Sequence, residues 1–267
     1  MINVVICGAA GRMGKENIIV FNDAKEIAIV GAVEAHNSNY IGQDAGHVAG
    51  LEGLGVTITS KIEDVIQRAD VIVDFTAPEA TLKTLETARI HGKGMVIGTT
   101  GFTKDHIEII KKNGETIPIL LSPNMSQGVN ILIYLARRAA ELLGKDYEVE
   151  ILEIHHNRKK DAPSGTALQL GDEIAQAREI SLNTVGSFSR HGIVGERKKS
   201  EIGFSSIRLS DVVGEHTIMF GGPGERIELS HKSSSRKNYS NGALRAVKFI
   251  AEKKVGFFTM KDVLGIS

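Results

Sequence analysis

Over its first half the chain alternates short apolar runs with stretches of helical period. Ile2 to Cys7 reads as a buried strand, the stretch after Gly11 to about Asn22 as an amphipathic helix, and Ile27 to Val33 as a second strand. Lys61 to Arg68 is predicted helical, Val71 to Phe75 a strand, Pro78 to His91 a helix stopped by Gly92, and Gly94 to Ile97 a strand. A helix capped by Thr103 runs to Asn113-Gly114, and Ile117 to Leu121 is a further strand. Apolar strands separated by helices are the pattern of a parallel sheet covered on both faces. This half is therefore expected to be a doubly wound α/β domain.

Past Gly128 the pattern changes. Gly128 to Leu143 is apolar nearly all round, which predicts a helix buried on most sides between two domains. Tyr147 to His156 alternates instead. Tyr147, Val149, Ile151, Glu153 and His155 share one face, and Glu148, Glu150, Leu152, Ile154 and His156 the other. Ile202 to Leu209, His216 to Phe220 and Ile227 to His231 also read as strands, the last two joined by a Gly221-Gly222-Pro223-Gly224 turn. Together these predict a smaller α+β domain with an open, mostly antiparallel or mixed sheet, whose uncovered face invites self-association. A helix from Gly242 to Lys254 and a Thr259-capped turn at Met260 to Leu264 are expected to return to the first domain. The expected division is 1–126 with 241–267 against 127–240.

Composition narrows the function classes. With 267 residues, 42% hydrophobic and 24% charged, the chain is an ordinary soluble protein that needs no disulfide to hold it. Its 32 basic and 32 acidic residues cancel, so no global field steers it to nucleic acid or to an anionic membrane. The basic segment Gly186 to Glu201 lacks interleaved aromatics and reads as a solvated loop. Cys7 is the only cysteine, and the histidines lack ligand spacing, so no metal is expected and a reducing cytoplasm fits. No leader pattern precedes the first strand, and no apolar run nears the ~20 residues that span a bilayer.

Two stretches carry candidate chemistry. The first strand runs into Gly8-Ala9-Ala10-Gly11-Arg12-Met13-Gly14 and then a helix, the order a dinucleotide fingerprint requires, in a G-x-x-G-x-x-G spacing. The second strand ends at Glu34, twenty residues beyond Gly14, where an acid holds adenosine ribose hydroxyls. Two later strand ends, Asp74 to Pro78 and Gly98-Thr99-Thr100-Gly101, are placed to line the nicotinamide ribose, although capping turns account equally for such residues, for Thr76 above all.

The second stretch is E-I-H-H-N-R-K-K-D-A-P-S-G-T, Glu153 to Thr166. A basic turn is followed by a helix opening at Pro163 or just after Ser164, which leaves the amides of Gly165 and Thr166 pointing outward as an anion site. Lys159 can reach the same anion from the turn, and the adjacent histidines should differ in role because they lie on opposite strand faces. A capped surface helix beside one core histidine is the purely structural account of the same residues.

Gly8 to Gly14, Glu34, Gly98 to Gly101, Ser122 to Asn130, the central stretch, V-G-E-H-T at Val213 to Thr217, and H-K-S-S-S-R and G-A-L-R-A near the end resemble the dihydrodipicolinate reductase (4-hydroxy-tetrahydrodipicolinate reductase) family of lysine and diaminopimelate biosynthesis. The likeness runs end to end. It implies a Rossmann domain completed by the C-terminal segment, a second domain whose sheet builds a homotetramer, and a hinge that closes a small dicarboxylate substrate onto NADH or NADPH. By the same resemblance Gly8, Ala9, Ala10, Gly11, Arg12, Met13, Glu34, Gly98, Thr99, Thr100, Ser122, Pro123, Asn124 and Met125 would bind the dinucleotide. His155 is similar to the family's proton donor, Lys159 to its second acid-base or substrate-charge residue, and His156, Gly165 and Thr166 to the residues that hold the dicarboxylate.

Three positions depart from the family pattern. Glu34 is followed by Ala35 and His36 where some members place an arginine for the 2′-phosphate of NADP, which favours NAD as at least as good a cofactor. Met125 stands where an aromatic is often found, and Leu209-Ser210 replaces a common Gly-Gly. Another nicotinamide-dependent dehydrogenase of an amino acid or semialdehyde would share the glycine loop but not the central stretch. A catalytically inert dinucleotide sensor would bind cofactor without turnover.

Overall fold

In the structure, a computed structural model that describes residues 1–266, the elements run β1 (Ile2–Cys7), α1 (Arg12–Asn22), β2 (Ile27–Val33), α2 (Ala45–Ala49), β3 (Ile58–Thr59), β4 (Val71–Asp74), α3 (Pro78–Ile90), β5 (Gly94–Ile97), α4 (Lys104–Asn113) and β6 (Pro118–Leu121). They continue as α5 (Gln127–Leu143), β7 (Glu148–His155), α6 (Gly165–Ala177), α7 (Leu182–Val185), β8 (Gly186–Ser187), β9 (Ile202–Arg208), β10 (Gly214–Gly222), β11 (Glu225–Ser233), α8 (Lys237–Ala251), β12 (Gly256–Phe258) and α9 (Met260–Leu264). The chain divides into two units, Met1–Gln127 with the segment from Lys237 onward, and Gly128–Arg236.

The first unit is built on a seven-stranded sheet in the order β12-β6-β5-β4-β1-β2-β3, with every pairing parallel. Strands β1, β4, β5 and β6 carry fully buried apolar runs because helices cover both faces, giving one core around Val4, Ile6 and Phe21 and another around Val5, Ile72 and Met95. Strand order reverses between β1 and β4, and the crevice outside the carboxyl ends there is where such sheets take ligands. Lys61 to Arg68 is not an α-helix but two 3₁₀ turns, Ile62–Asp64 and Ile66–Arg68, broken at Val65 (φ −125°). Val65 is held against Gly31 of β2, which draws the segment onto the sheet. Short α2, β3 and β12 carry too few residues to show a period. Helix α8 starts at Lys237, five residues before Gly242, and Gly242 packs against the Met125 carbonyl.

The second unit has a five-stranded mixed sheet in the order β11-β10-β7-β9-β8. β10 is antiparallel to β7 and β11, whereas β9 runs parallel to β7 and β8. Helices α5 and α6 bury Val129, Leu132, Ile133, Leu170 and Ile174 against Val149, Ile151, Ile218 and Phe220 of one sheet face. Helix α5 is not buried on most sides: Ile131, Leu135 and Leu142 are 42%, 43% and 79% exposed, on the face its period turns away from this core. Among the described residues no helix is long and apolar enough to cross a membrane.

Candidate active site

In the first unit the glycine loop is shaped for a ligand by what its glycines leave out. Gly8 has φ 73°, and a Cβ there would meet Thr76 Cγ2 at 3.0 Å; a Cβ on Gly14 would collide with the Gly8 carbonyl. Gly11 is the N-cap of α1 with no side chain over the first amides and no acid in the first turn. That helix end offers donors and positive dipole to an anion, the chemistry a pyrophosphate needs. Glu34 Oε1 accepts from the Ala10 amide at 2.8 Å and Oε2 from its neighbour Ala35 at 3.1 Å, so the acid also pins the loop and keeps lone pairs for hydroxyls. Arg12, Ala35 and His36 are exposed at this end of the sheet.

The other expected cofactor residues separate into backbone and core. Thr99 is buried and its hydroxyl is used internally, donating to Asp74 Oδ1 at 3.1 Å and accepting from the Thr76 amide at 3.0 Å and Thr81 Oγ1 at 2.9 Å. Asp74 Oδ1 also takes the Thr76 hydroxyl and amide at 2.6 and 3.0 Å, so this buried carboxylate organises both strand-end turns. It leaves the backbone of Gly98 and Thr99, with exposed Thr100, for a ligand, and Gly98 has no room for a Cβ against the Phe75 ring. Ser122 Oγ donates to the Asn124 carbonyl at 2.8 Å and Asn124 Oδ1 accepts from the Ser126 amide at 2.9 Å, which curls the loop after β6 around exposed Pro123. Met125 is 1% exposed within the first core, so its side chain packs with Ala243 and Val247 instead of standing open to a ring.

In the second unit, helix α6 opens at Gly165, with Ser164 as N-cap accepting the Ala167 amide at 3.2 Å and Pro163 outside the helix. The amides of Gly165 and Thr166 therefore occupy the first two helical positions, which have no intrahelical acceptor. A Cβ on Gly165 would meet nothing within 4 Å, so no protein contact in this unit demands glycine there. Lys159 Nζ pairs with Asp161 Oδ2 at 2.9 Å in the turn, and that pairing holds the Asp161 carboxyl below its ordinary range.

The two histidines have different surroundings. His155 is 9% exposed on the covered sheet face and its Nδ1 bonds Glu153 Oε2. His156 lies on the other face, its Nδ1 accepting the Arg158 amide at 3.2 Å, and desolvation with the nearby cations Arg158 and Arg236 lowers its pKa. Two further side chains join His155 without having been singled out by sequence. Arg208 clamps Glu153 from β9, and His216 of β10 meets the His155 ring edge-on at 5.1 Å while its Nε2 lies 3.0 Å from Ser164 Oγ. Burial pushes His216 down to about 3, so it is neutral.

A Rossmann sheet with an open glycine loop, and a second unit in which a capped helix start adjoins a buried histidine, fit a nicotinamide-dinucleotide-dependent oxidoreductase. Family profiles resolve the class further: residues 2–125 match "Dihydrodipicolinate reductase, N-terminus" and residues 128–264 match "Dihydrodipicolinate reductase, C-terminus". The chain belongs to the dihydrodipicolinate reductase family. It is 44% identical over 266 residues to the 4-hydroxy-tetrahydrodipicolinate reductase of Citrifermentans bemidjiense, covering 100% of both chains. It is 47% identical over 263 residues to that of Burkholderia thailandensis, covering 98% of each. The dipicolinate-bound dihydrodipicolinate reductase of Paenisporosarcina superposes with a TM-score of 0.78 at 25% identity over 97% of both chains.

Proposed function

We propose that the protein reduces (2S,4S)-4-hydroxy-2,3,4,5-tetrahydrodipicolinate to tetrahydrodipicolinate and water with NADH or NADPH, in diaminopimelate and lysine biosynthesis. The observation that carries this reading is the α6 start with exposed Gly165 at its first position, in the same unit as buried His155, within a chain matched end to end by the family. The α6 amides, the Thr166 hydroxyl and His156 hold the substrate carboxylates, and Lys159 exchanges its Asp161 partner for substrate charge. The bound dinucleotide supplies a hydride. His155 delivers the proton that balances it, a contribution of about a hundred- to ten-thousand-fold for a positioned acid.

Gly8 to Met13, Glu34, the Gly98–Thr100 turn and the Ser122–Met125 loop hold the dinucleotide, the last two through backbone groups. With Ala35 and His36 after Glu34, NADH is expected to serve at least as well as NADPH. The uncovered face of the second unit's sheet, with Ile207 and its neighbours exposed, supports assembly as a homotetramer. A single free buried cysteine fits a cytoplasmic enzyme.

The test follows the near-ultraviolet absorbance of NADH and NADPH in parallel, with the unstable substrate generated in situ by the enzyme that makes it. Oxidation that depends on that substrate is expected. Dinucleotide binding without oxidation would instead assign the chain as a sensor.

A further inference from the structure

Glu153 is a buried ionisable group that the reaction as described leaves unused. It is 1% exposed, lies two residues before His155 on the same face of β7, and its Oε2 bonds His155 Nδ1. Arg208 stands opposite His155 on the parallel strand β9 and bonds the same carboxylate with both terminal nitrogens, Nη1 to Oε2 at 2.9 Å and Nη2 to Oε1 at 2.8 Å. The Ser164 amide, at the cap of the anion-binding helix, donates to Oε1 at 3.3 Å. Arg208 is itself fixed by the carbonyls of Asp161 at 2.6 Å and Ile207 at 2.8 Å. One carboxylate therefore ties the histidine, the substrate-site helix and the turn between them into a single frame.

The donor count fixes a proton. The Arg208 guanidinium spans both Glu153 oxygens and the Ser164 amide adds a further donor, a bidentate pairing that favours the ionised carboxylate. Burial opposes that ionisation, yet the bonds from His155 and Arg208 outweigh it and bring the carboxyl down to about 2. An ionised carboxylate has no hydrogen to give, so the hydrogen of the Glu153–His155 bond is on Nδ1. Neutral His155 then keeps its lone pair on Nε2, and only that atom can gain or lose a proton during turnover.

We propose that Glu153 is the positioning residue for His155, fixing its ring and its Nδ1–H tautomer, and that Arg208 divides the carboxylate's charge so that the pair does not trap the imidazolium. This rests on the reading of His155 as proton donor. A buried ion pair kept for stability alone is a poor account of the arrangement, because such pairs return little net stability once desolvated. The remaining titratable groups around His155 are His216 on β10, His231 beside it on β11, and His156, Arg158, Lys159 and Asp161 in the following turn. His216 is neutral, and Lys159 has Asp161 as its partner, so Glu153 and Arg208 dominate the local field.

The division of charge has a signature that a structural network lacks. Glu153→Gln removes negative charge beside the imidazolium, so the pH limb reporting the proton donor moves down. Arg208→Met removes the competing cation, so the limb moves up.

The experiment compares kcat, KM and their pH profiles for wild type, Glu153→Gln, Glu153→Asp, Arg208→Met and His155→Gln, together with imidazole nitrogen NMR of the wild-type protein. Glu153→Gln is expected to lose roughly a hundredfold in kcat, with both KM values within about threefold and its limb lowered. Glu153→Asp is expected to recover part of kcat, Arg208→Met to shift the limb oppositely, and the signals lost in His155→Gln to identify a ring protonated on Nδ1. A wild-type kcat and profile in Glu153→Gln, limbs moving the same way in both variants, or a neutral ring protonated on Nε2 would overturn the proposal. If Glu153→Gln does not fold, the Arg208→Met limb and the wild-type tautomer decide. Retained turnover in His155→Gln would remove the proton-donor role by itself, and the tautomer would then decide the positioning role alone.

Discussion

Gly214 backs directly onto His155: a Cβ built on this glycine would stand 3.0 Å from Nε2 and 3.3 Å from Cδ2 of the ring. The atom assigned to proton delivery thus has its clearance set by the absence of a side chain on the neighbouring strand β10. Gly214→Ala is expected to push the ring aside by a few tenths of an ångström and to lower kcat by roughly tenfold, since misplacement by about 1 Å can cost a hundredfold. NADH affinity should stay at the wild-type value. Steady-state kinetics with cofactor titration separates these, and unchanged kcat would show that the ring is not confined from this side.

Gly165 makes the opposite case, a glycine with no neighbour in its own unit. It has ordinary helical backbone at the first position of α6, so alanine there should raise stability by about 0.5–1 kcal/mol through helix propensity. In the proposed anion site the added methyl instead occupies the space a carboxylate would use to reach the amides. Gly165→Ala is expected to raise the substrate KM about tenfold or more while the unfolding midpoint holds or rises. A wild-type KM in a folded variant would remove the anion site from this helix start.

Much of this arrangement was legible in the sequence, for reasons that can be named. The glycine loop, Glu34 and the alternation of buried strands with helices are local patterns, and local patterns gave the sheet of the first unit. Alternation along β7 likewise put Glu153 and His155 on one face and His156 on the other. Arg208 was out of reach. It lies 55 residues from Glu153 and meets it only because β9 pairs parallel with β7, a register no period within either strand encodes. The signal that could have found it was parity, since Ile202, Phe204 and Arg208 share a face. Burial of the Thr99 and Met125 side chains was out of reach for another reason: residue type marks a threonine or methionine near a ligand loop, but not whether its side chain turns into the core. On α5, apolar residues all round were read as burial on most sides, whereas Ile131, Leu135 and Leu142 are exposed in this chain.

His216 should make the fold acid-sensitive. Its pKa is about 3 in the folded chain, driven down mainly by burial, against 6.5 for the ordinary side chain. Below the ordinary value the unfolded chain takes up a proton that the folded chain refuses, so stability falls as pH drops from about 6.5 towards 3 and is fully present above that window. One such proton gives a slope of about 1.4 kcal/mol per pH unit, and the lowered values of His231 and His156 add in the same direction. Glu153 contributes only at lower pH, because its stabilisation is lost as pH falls from 4.5 through about 2. Urea unfolding at about pH 7 and about pH 5 should show the loss, and His216→Asn should flatten the slope by about one proton. An equal slope in the variant would place the acid sensitivity elsewhere.

The turn between β9 and β10 carries backbone strain at Ser210. Ser210 has φ 46°, in the left-handed region, where a side chain costs about 1–2 kcal/mol. The turn is held from both sides: the Leu209 amide donates to the His155 carbonyl at 2.8 Å and the Asn157 amide to the Ser210 carbonyl at 3.1 Å. Ser210→Gly should relieve the strain less the extra entropy of the unfolded chain, a net gain of about 0.5–1 kcal/mol and roughly 1–3 °C in the unfolding midpoint. Leu209 is not in the left-handed region, so Leu209→Gly has only the entropic penalty and should lower the midpoint. Opposite signs at adjacent positions cannot come from glycine flexibility as such, and equal losses at both would mean that the hydrogen bonds to His155 and Asn157 hold the turn without strain at Ser210.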